Sequence, residues 1–283
     1  MTTYTSGERK SIAGGFLDGL ATFWRKRWLL RYFIQRQVTR SYKRSYLGIS
    51  WILFSPLVWV FFLALIFSEA VGIKDRLAPV PGQEDLNFGL YLYCGLLPFL
   101  AFSEAMNKGM NSIRSSSGLV QKVVFPMELL PFTNAVASMI DKFFGVGALL
   151  IVAWLFGVDL HATILYLPLV VLLQVLFILG LTYFMAIFGT YLPDLGEVMR
   201  PVIRGIFFLT PILWPPERLP ESIRWVVDYN PLAYLVIAYR ETVLFGNPPG
   251  GLATLYFTLF SVALFVAGFA LFNRVKWGFA DRL

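Results

Sequence analysis

The sequence predicts an all-α integral membrane protein with six transmembrane helices, an N-terminal amphipathic interface helix and a re-entrant outer helix pair before the last span. Three observations carry this. Of the 283 residues, 57% are hydrophobic and only 14% charged, too little charge to coat a water-soluble globule, where about 25% is usual. The apolar residues gather in uncharged runs close to the roughly 20 residues that cross a bilayer core as a helix. Lysine and arginine crowd onto one side of those runs. The runs use up the chain, so 1–283 reads as a single transmembrane domain with short tails.

The polar stretch Met1–Gly15 has no apolar core followed by a small-residue cleavage site, and no cleaved signal peptide is expected. Within 16–46, Leu20, Phe23, Trp24 and Trp28 recur at three- to four-residue steps, and Arg36, Arg40, Lys43 and Arg44 form a basic stripe at similar steps. This pattern predicts a helix lying in the inner headgroup layer. Its cations suit the phosphate headgroup of a substrate, and equally an ordinary membrane anchor.

The first span is expected over 47–72. The second, 88–108, carries Pro98, which should bend it. The third, 129–158, holds Asp141 and Lys142 near its inner end, and the fourth, 164–192, has no charge until its last turn is passed. The fifth, 197–214, is hemmed by Pro201, Pro211, Pro215 and Pro216. The stretch 222–245 is apolar but broken at Asn230-Pro231, with Arg224, Asp228, Arg240 and Glu241 inside it; two short re-entrant helices fit it better than a span. The sixth span is 252–272.

With the N-terminus inside, nearly all the basic residues fall on inner segments and helix ends, while Lys74, Arg76, Arg218, Arg224 and Arg240 fall outside. Both termini are therefore expected in the cytoplasm, and the re-entrant pair on the outer face. The net charge of +7 belongs to this asymmetry, so anionic lipid or a phosphate-bearing substrate fits better than nucleic acid.

Several chemistries find no residues to carry them. No Gly-Lys-Ser/Thr phosphate cradle occurs, so ATP hydrolysis is not expected in this chain. Its energy would come from a partner or an ion gradient. Glu69, Glu104 and Asp141, the candidate coupling carboxylates, all fall near helix ends rather than at midplane, where a retained charge points to use. His161 sits beside Asp159 on a short outer loop. No metal-ligand spacing appears, and Cys94, the single cysteine, reads as a small packing residue. Aromatics reach 17%. Trp51, Phe54, Trp59, Tyr91, Phe99, Phe207, Phe208 and Trp214 could offer flat faces to sugars, or form interface belts and lipid-facing packing.

The residues resemble a known family, the membrane subunits of type 2 ABC exporters, in the branch exporting polysaccharides such as O-antigen, capsule and teichoic acid. Tyr42-Lys-Arg-Ser-Tyr-Leu-Gly-Ile-Ser-Trp51 with Pro56 resembles that branch's approach to its first span. Leu119-Val-Gln-Lys-Val-Val-Phe-Pro-Met-Glu-Leu-Leu-Pro131 resembles its loop between spans two and three. Asp194-Leu195 followed by Phe207-Phe-Leu-Thr-Pro-Ile-Leu-Trp214 resembles its fifth span, and Asn230-Pro-Leu, Arg240 and Phe279-Ala-Asp-Arg-Leu283 complete the order. The loop Lys74–Asn87 is longer than the pattern leads one to expect.

The resemblance implies a homodimeric permease in the bacterial cytoplasmic (inner) membrane, with two ABC ATPase subunits beneath it that bind ATP and Mg; this chain itself takes no cofactor. It implies that residues 113–125 form a coupling helix, with Ile113, Arg114, Val120, Lys122, Phe125 and Glu128 facing the ATPase. The pair at 222–245 would form outer gate helices. Arg36, Arg40, Lys43 and Arg44 would meet the headgroup of a polyprenyl-phosphate-linked or otherwise lipid-capped glycan. Trp51, Phe54, Tyr91, Phe207, Phe208 and Trp214 would line the channel. The rivals are an exporter of small amphiphiles or drugs from the same superfamily, an ion-coupled secondary carrier, and a lipid-modifying membrane enzyme, for which a catalytic cluster is missing.

Overall fold

The computed structural model of the chain describes residues 19, 21–42, 46–69, 87–118, 125–279 and 282. Every regular element among them is helical. Helix α1 spans Arg27–Tyr42, α2 Trp51–Glu69, α3 Phe88–Asn111, α4 Leu129–Leu155, α5 Leu167–Tyr191, α6 Leu195–Leu209, α7 Pro231–Arg240 and α8 Gly251–Val275. Four described segments are long and apolar enough to cross a membrane: α3, α4, the stretch Ala162–Tyr191 containing α5, and Gly251–Gly278 containing α8.

Local chemistry sets the helix ends. The Asn87 side chain accepts from the Gly89 and Leu90 N–H groups and starts α3. Asn230 accepts from Leu232 N–H, with Pro231 at the first helical position of α7, so the Asn-Pro break in the sequence is a helix start. Helix α6 stops at Leu209, five residues short of the expected Trp214. Pro211 has no N–H to continue the ladder, and Thr210 turns extended, with ψ 136°. At 15 residues α6 is about 22 Å long, less than the roughly 30 Å of a bilayer core.

Helix α3 is the central element, buried along most of its length and packed against α2, α4, α5 and α7. Helix α5 pairs with α8 at a crossing where both backbones come close. A Cβ on Gly180 would lie 2.8 Å from Leu264 C, and one on Gly268 would lie 2.7 Å from Gly180 O, the small-residue contact by which membrane helices associate.

The helices run back and forth between two ends. One, the α1 end, gathers α1, residues 112–118 and 125–128, and the C-termini of α3, α5 and α8. A second apolar core lies there, built from Ile113, Met127, Leu130, Tyr183, Phe269, Phe272 and Phe279. The other, the α7 end, holds the N-termini of α3, α5 and α8, the exit of α6, and α7.

Helix α1 corrects the expectation of one apolar face opposite one basic face, since its polar and apolar residues are not segregated across the helix. Phe23, just before it, packs on Phe132 and Phe269, with ring centroids 4.8 and 5.7 Å apart, while Trp24, Trp28 and Tyr32 are exposed. The segment has two apolar faces because it packs on the chain with one and presents aromatic rings outward with the other.

Candidate functional site

At the α7 end the structure centres on Arg240. Its residue is 2% exposed, and its guanidinium donates to Pro211 O at 2.5 Å, Ile212 O at 2.7 Å and Tyr91 O at 3.3 Å. It also lies over the Tyr91 ring, 3.4 Å from the centroid. The acceptors are backbone carbonyls from two separate stretches, the start of α3 and the turn after α6. Among the described residues no carboxylate forms an ion pair with it. The absence of a side chain at Gly95 makes the room, since a Cβ there would sit 2.8 Å from Arg240 Nη2.

Helix α7 is anchored by further polar contacts. Asn230 Nδ2 donates to Thr210 Oγ1 at 3.2 Å, and Tyr234 OH pairs with Thr254 Oγ1 at 2.8 Å. Tyr239 OH donates to Gln174 Oε1 at 2.6 Å, and Gln174 Nε2 donates to Pro98 O at 3.3 Å. Each of these buried or partly buried polar groups has a partner, as burial requires.

Helix α6 is the opposite case. Only Ile203 is buried; Val198, Val202, Phe208 and Leu209 are exposed, Phe208 at 65%. Phe207 packs edge-on against Phe99, 5.2 Å between centroids, and Trp214 Nε1 donates to Phe208 O at 3.3 Å. On α2, Trp51 and Phe54 are exposed together with Val58, Phe62 and Leu65, residues that repeat at helical spacing.

Of the six aromatics expected to line a channel, then, Phe207, Phe208 and Trp214 are grouped, and Trp51 and Phe54 share the open face of α2. Tyr91 is 1% exposed and corrects the expectation: Arg240 covers its ring, so it is a packing partner of that cation. Sequence reasoning placed Arg240 on the outer side and gave it no role at the site. A charge inside the apolar 222–245 run was the signal that pointed to it.

At the α1 end, charges meet carboxylates. Glu104 pairs with Lys108 and with Lys142, each at 2.5 Å, joining α3 to α4. Glu128 pairs with Lys276 at 3.0 Å, Lys276 Nζ also donates to Asn273 Oδ1 at 2.8 Å, and Tyr183 OH donates to Glu128 O at 2.9 Å. Of the residues expected to face an ATPase, Ile113 and Glu128 are buried and hold this end together. Arg114 is half-buried and donates to Thr190 O at 3.4 Å. Phe125 meets Phe33 of α1 edge-on at 5.2 Å, while Val120 and Lys122 lie outside the described residues.

Between α1, residues 115–118 and the first turns of α4 lies a cavity of about 310 Å³. Helix α1 lines it with Phe33, Arg36 and Gln37. The Gln37 amide donates to Asn134 Oδ1 of α4. Among the basic stripe, Arg36 therefore lines a built space. Lys43 and Arg44 lie outside the described residues, as does the side chain of Arg40, and the long loop expected at 74–87 is described only at Asn87.

The sequence is similar to that of known proteins. The family described as ABC-2 type transporter matches residues 29–244. The chain is 25% identical over 257 residues to the O-antigen export system permease protein RfbA of Klebsiella pneumoniae, covering 90% of this chain and 95% of that protein. It is 26% identical over 259 residues to the RfbA protein of the same description from Myxococcus xanthus, covering 91% and 96%. To the polysialic acid transport protein KpsM of Escherichia coli it is 25% identical over 244 residues, covering 84% and 90%.

Proposed function

This chain belongs to the ABC-2 type transporter family, and from that premise we propose that it is the membrane permease subunit of an ATP-driven polysaccharide exporter in the bacterial inner membrane. The observation that carries the reading is the end-to-end likeness to permeases named for O-antigen export, which spans 90% of the chain. The chain works as a homodimer over two ABC ATPase subunits, which bind ATP and Mg, and takes a lipid-linked glycan, O-antigen-like in preference to capsule or teichoic acid.

In this reading α2 and α6 join the four long apolar segments as spans, both termini are cytoplasmic, and α7 is the deeper of two re-entrant outer helices. The α1 end then faces the cytoplasm and the α7 end faces outward. The support for a dimeric conduit is the uncovered side of α6 with Phe208, and the open face of α2 with Trp51 and Phe54. Aromatic faces of this kind hold a sliding glycan loosely, through ring contacts that do not fix its register. The cations before α2 draw the phosphate headgroup to the inner leaflet.

The test is to purify the tagged chain from native membranes in mild detergent and identify what accompanies it by mass spectrometry. An ATPase subunit in equal amount together with a retained lipid-linked glycan is the expected result. A chain that purifies alone, and whose transport follows an ion gradient, would replace this reading with a secondary carrier.

A further inference from the structure

In the turn that leaves α6, each carbonyl from Phe208 to Ile212 has a donor, although the helix itself ends at Leu209. Phe208 O accepts from Trp214 Nε1 at 3.3 Å and Leu209 O from Asn230 Nδ2 at 3.4 Å. Thr210 O accepts from the Ile212 N–H at 2.7 Å. Pro211 O and Ile212 O accept from the two ends of the Arg240 fork, at 2.5 and 2.7 Å. Only Thr210 is served by the main chain; every other donor is a side chain. Asn230 and Arg240 are the N-cap and the last residue of α7, so a helix of ten residues, about 15 Å long, lies along the turn as a splint fastened at both of its ends.

What the splinted backbone carries is apolar and open. Phe208, Leu209 and Leu213 are 65%, 54% and 37% exposed, whereas Thr210, Pro211 and Ile212 are buried and turn their carbonyls toward α7. An irregular segment whose acceptors are all engaged, and whose large side chains point into the open, is built to hold a contact surface in place rather than to fill a core. A chain sliding past it meets ring faces and aliphatic edges, with the main-chain acceptors turned away. Ring contacts tolerate many sugars, but steric overlap with a fixed edge does not, and a clash discriminates without any new attraction.

We propose that Asn230 and Arg240 are positioning residues that hold the turn 208–214 as a gauge of fixed width, so that glycans are selected by the girth of their repeating unit rather than by the pattern of their hydroxyls. Neither residue touches the glycan; both act through Phe208, Leu213 and Trp214. The selection rests on the permease reading for the identity of the passing chain. The clamp on the turn does not.

The experiment has two readouts on the full-length chain in nanodiscs. The first is the mobility of a nitroxide attached at Leu213→Cys; Cys94 is fully buried, so the reagent reaches the new thiol alone. The second, on the complex with its ATPase, is kcat/KM of ATP hydrolysis stimulated by two polyprenyl-pyrophosphate-linked probes, a linear glucan oligosaccharide and the same backbone carrying single-glucose branches. Three variants are compared. Asn230→Asp keeps the oxygen that accepts from Leu232 N–H, and so the start of α7, but removes the donor to the turn. Arg240→Lys replaces the fork by a point charge. Tyr239→Phe removes a buried hydrogen bond of the same helix that is made to Gln174 of α5 and not to the turn.

Asn230→Asp and Arg240→Lys should free the label and lower the linear-over-branched ratio of kcat/KM by about fivefold, the weight of one hydrogen bond. Tyr239→Phe should lower the melting temperature and leave both readouts unchanged. If Arg240→Lys does not fold, Asn230→Asp carries the test alone. A label that stays immobile in Asn230→Asp overturns the clamp. A freed label with an unchanged ratio overturns the gauge, and so does a Tyr239→Phe variant that matches the other two, because general loosening then explains the loss. If the label responds as expected while neither glycan stimulates the unsubstituted complex, the permease reading falls and takes the selection with it, and the clamp stands.

Discussion

The two ends of the molecule neutralise their cations in different ways. At the α7 end, Arg240 is buried and held by the carbonyls of Tyr91, Pro211 and Ile212. At the α1 end, Lys108, Lys142 and Lys276 are held by Glu104 and Glu128 at side-chain exposures of up to 31%. A guanidinium among carbonyls needs the backbone bent to one path, because the acceptors cannot rotate toward it as a carboxylate can. The Glu104 pairs are partly open to water and cost little to break and re-form, while the Glu128–Lys276 pair is buried. The α7 end is thus built to keep its shape, and the α1 end, around Glu104, to exchange partners.

The sharpest way to break this comparison is Arg240→Met. It strips at least two buried carbonyls of their donors, and stability should fall by about 2–4 kcal/mol, read as a large drop in melting temperature of the purified chain. Arg240→Lys should recover only part of the loss, since a point charge cannot span the Tyr91 and Pro211 carbonyls together. A melting temperature unchanged by Arg240→Met would mean that the carbonyl cage holds nothing in place.

Gly95→Ala tests the same cage from the other side. A Cβ 2.8 Å from Nη2 forces the guanidinium aside, for an expected loss of about 1–3 kcal/mol. Combined with Arg240→Met it should add little, because the obstacle is then gone.

Glu128→Gln comes next. Its pair with Lys276 is buried, but Lys276 keeps the Asn273 contact, so an effect of about 1–2 kcal/mol is expected, and a Glu128→Gln, Lys276→Met double-mutant cycle should report the coupling. An effect equal to that of Arg240→Met would erase the distinction between the ends. The smallest effect belongs to Glu197→Gln on α6. Its pair with Arg200 spans 2.9 Å but is 62–71% exposed, and melting should shift by less than about 0.5 kcal/mol.

Much of the fold was legible because a bilayer imposes length and hydropathy on each crossing. The long apolar runs, the break at Asn230-Pro231 and the proline-bounded α6 all left marks in the residues. The path of Arg240 did not. A carbonyl can come from any residue, so no partner residue type announces a cage of them, and Arg240 read as one more outer cation. The burial of Tyr91 was hidden for the same reason. The segment just before α1 misled by its spacing: Phe23 and Trp24 are neighbours in one apolar stripe of the sequence, yet one packs inward and the other outward, a choice made by Phe132 and Phe269 rather than by local pattern. Arg36 was found as a cation, but the cavity beside it depends on Ser116 and Asn134, far away along the chain.

The Arg240 cage also decides how this end of the chain can move. With the start of α3, the turn after α6 and the last residue of α7 gripped at one point, no flap between 211 and 240 can swing open without tearing a buried guanidinium from its acceptors. A hinge is therefore closed to it, and any widening of a passage here has to come from shear, with packed faces sliding past one another while the pinned block travels whole.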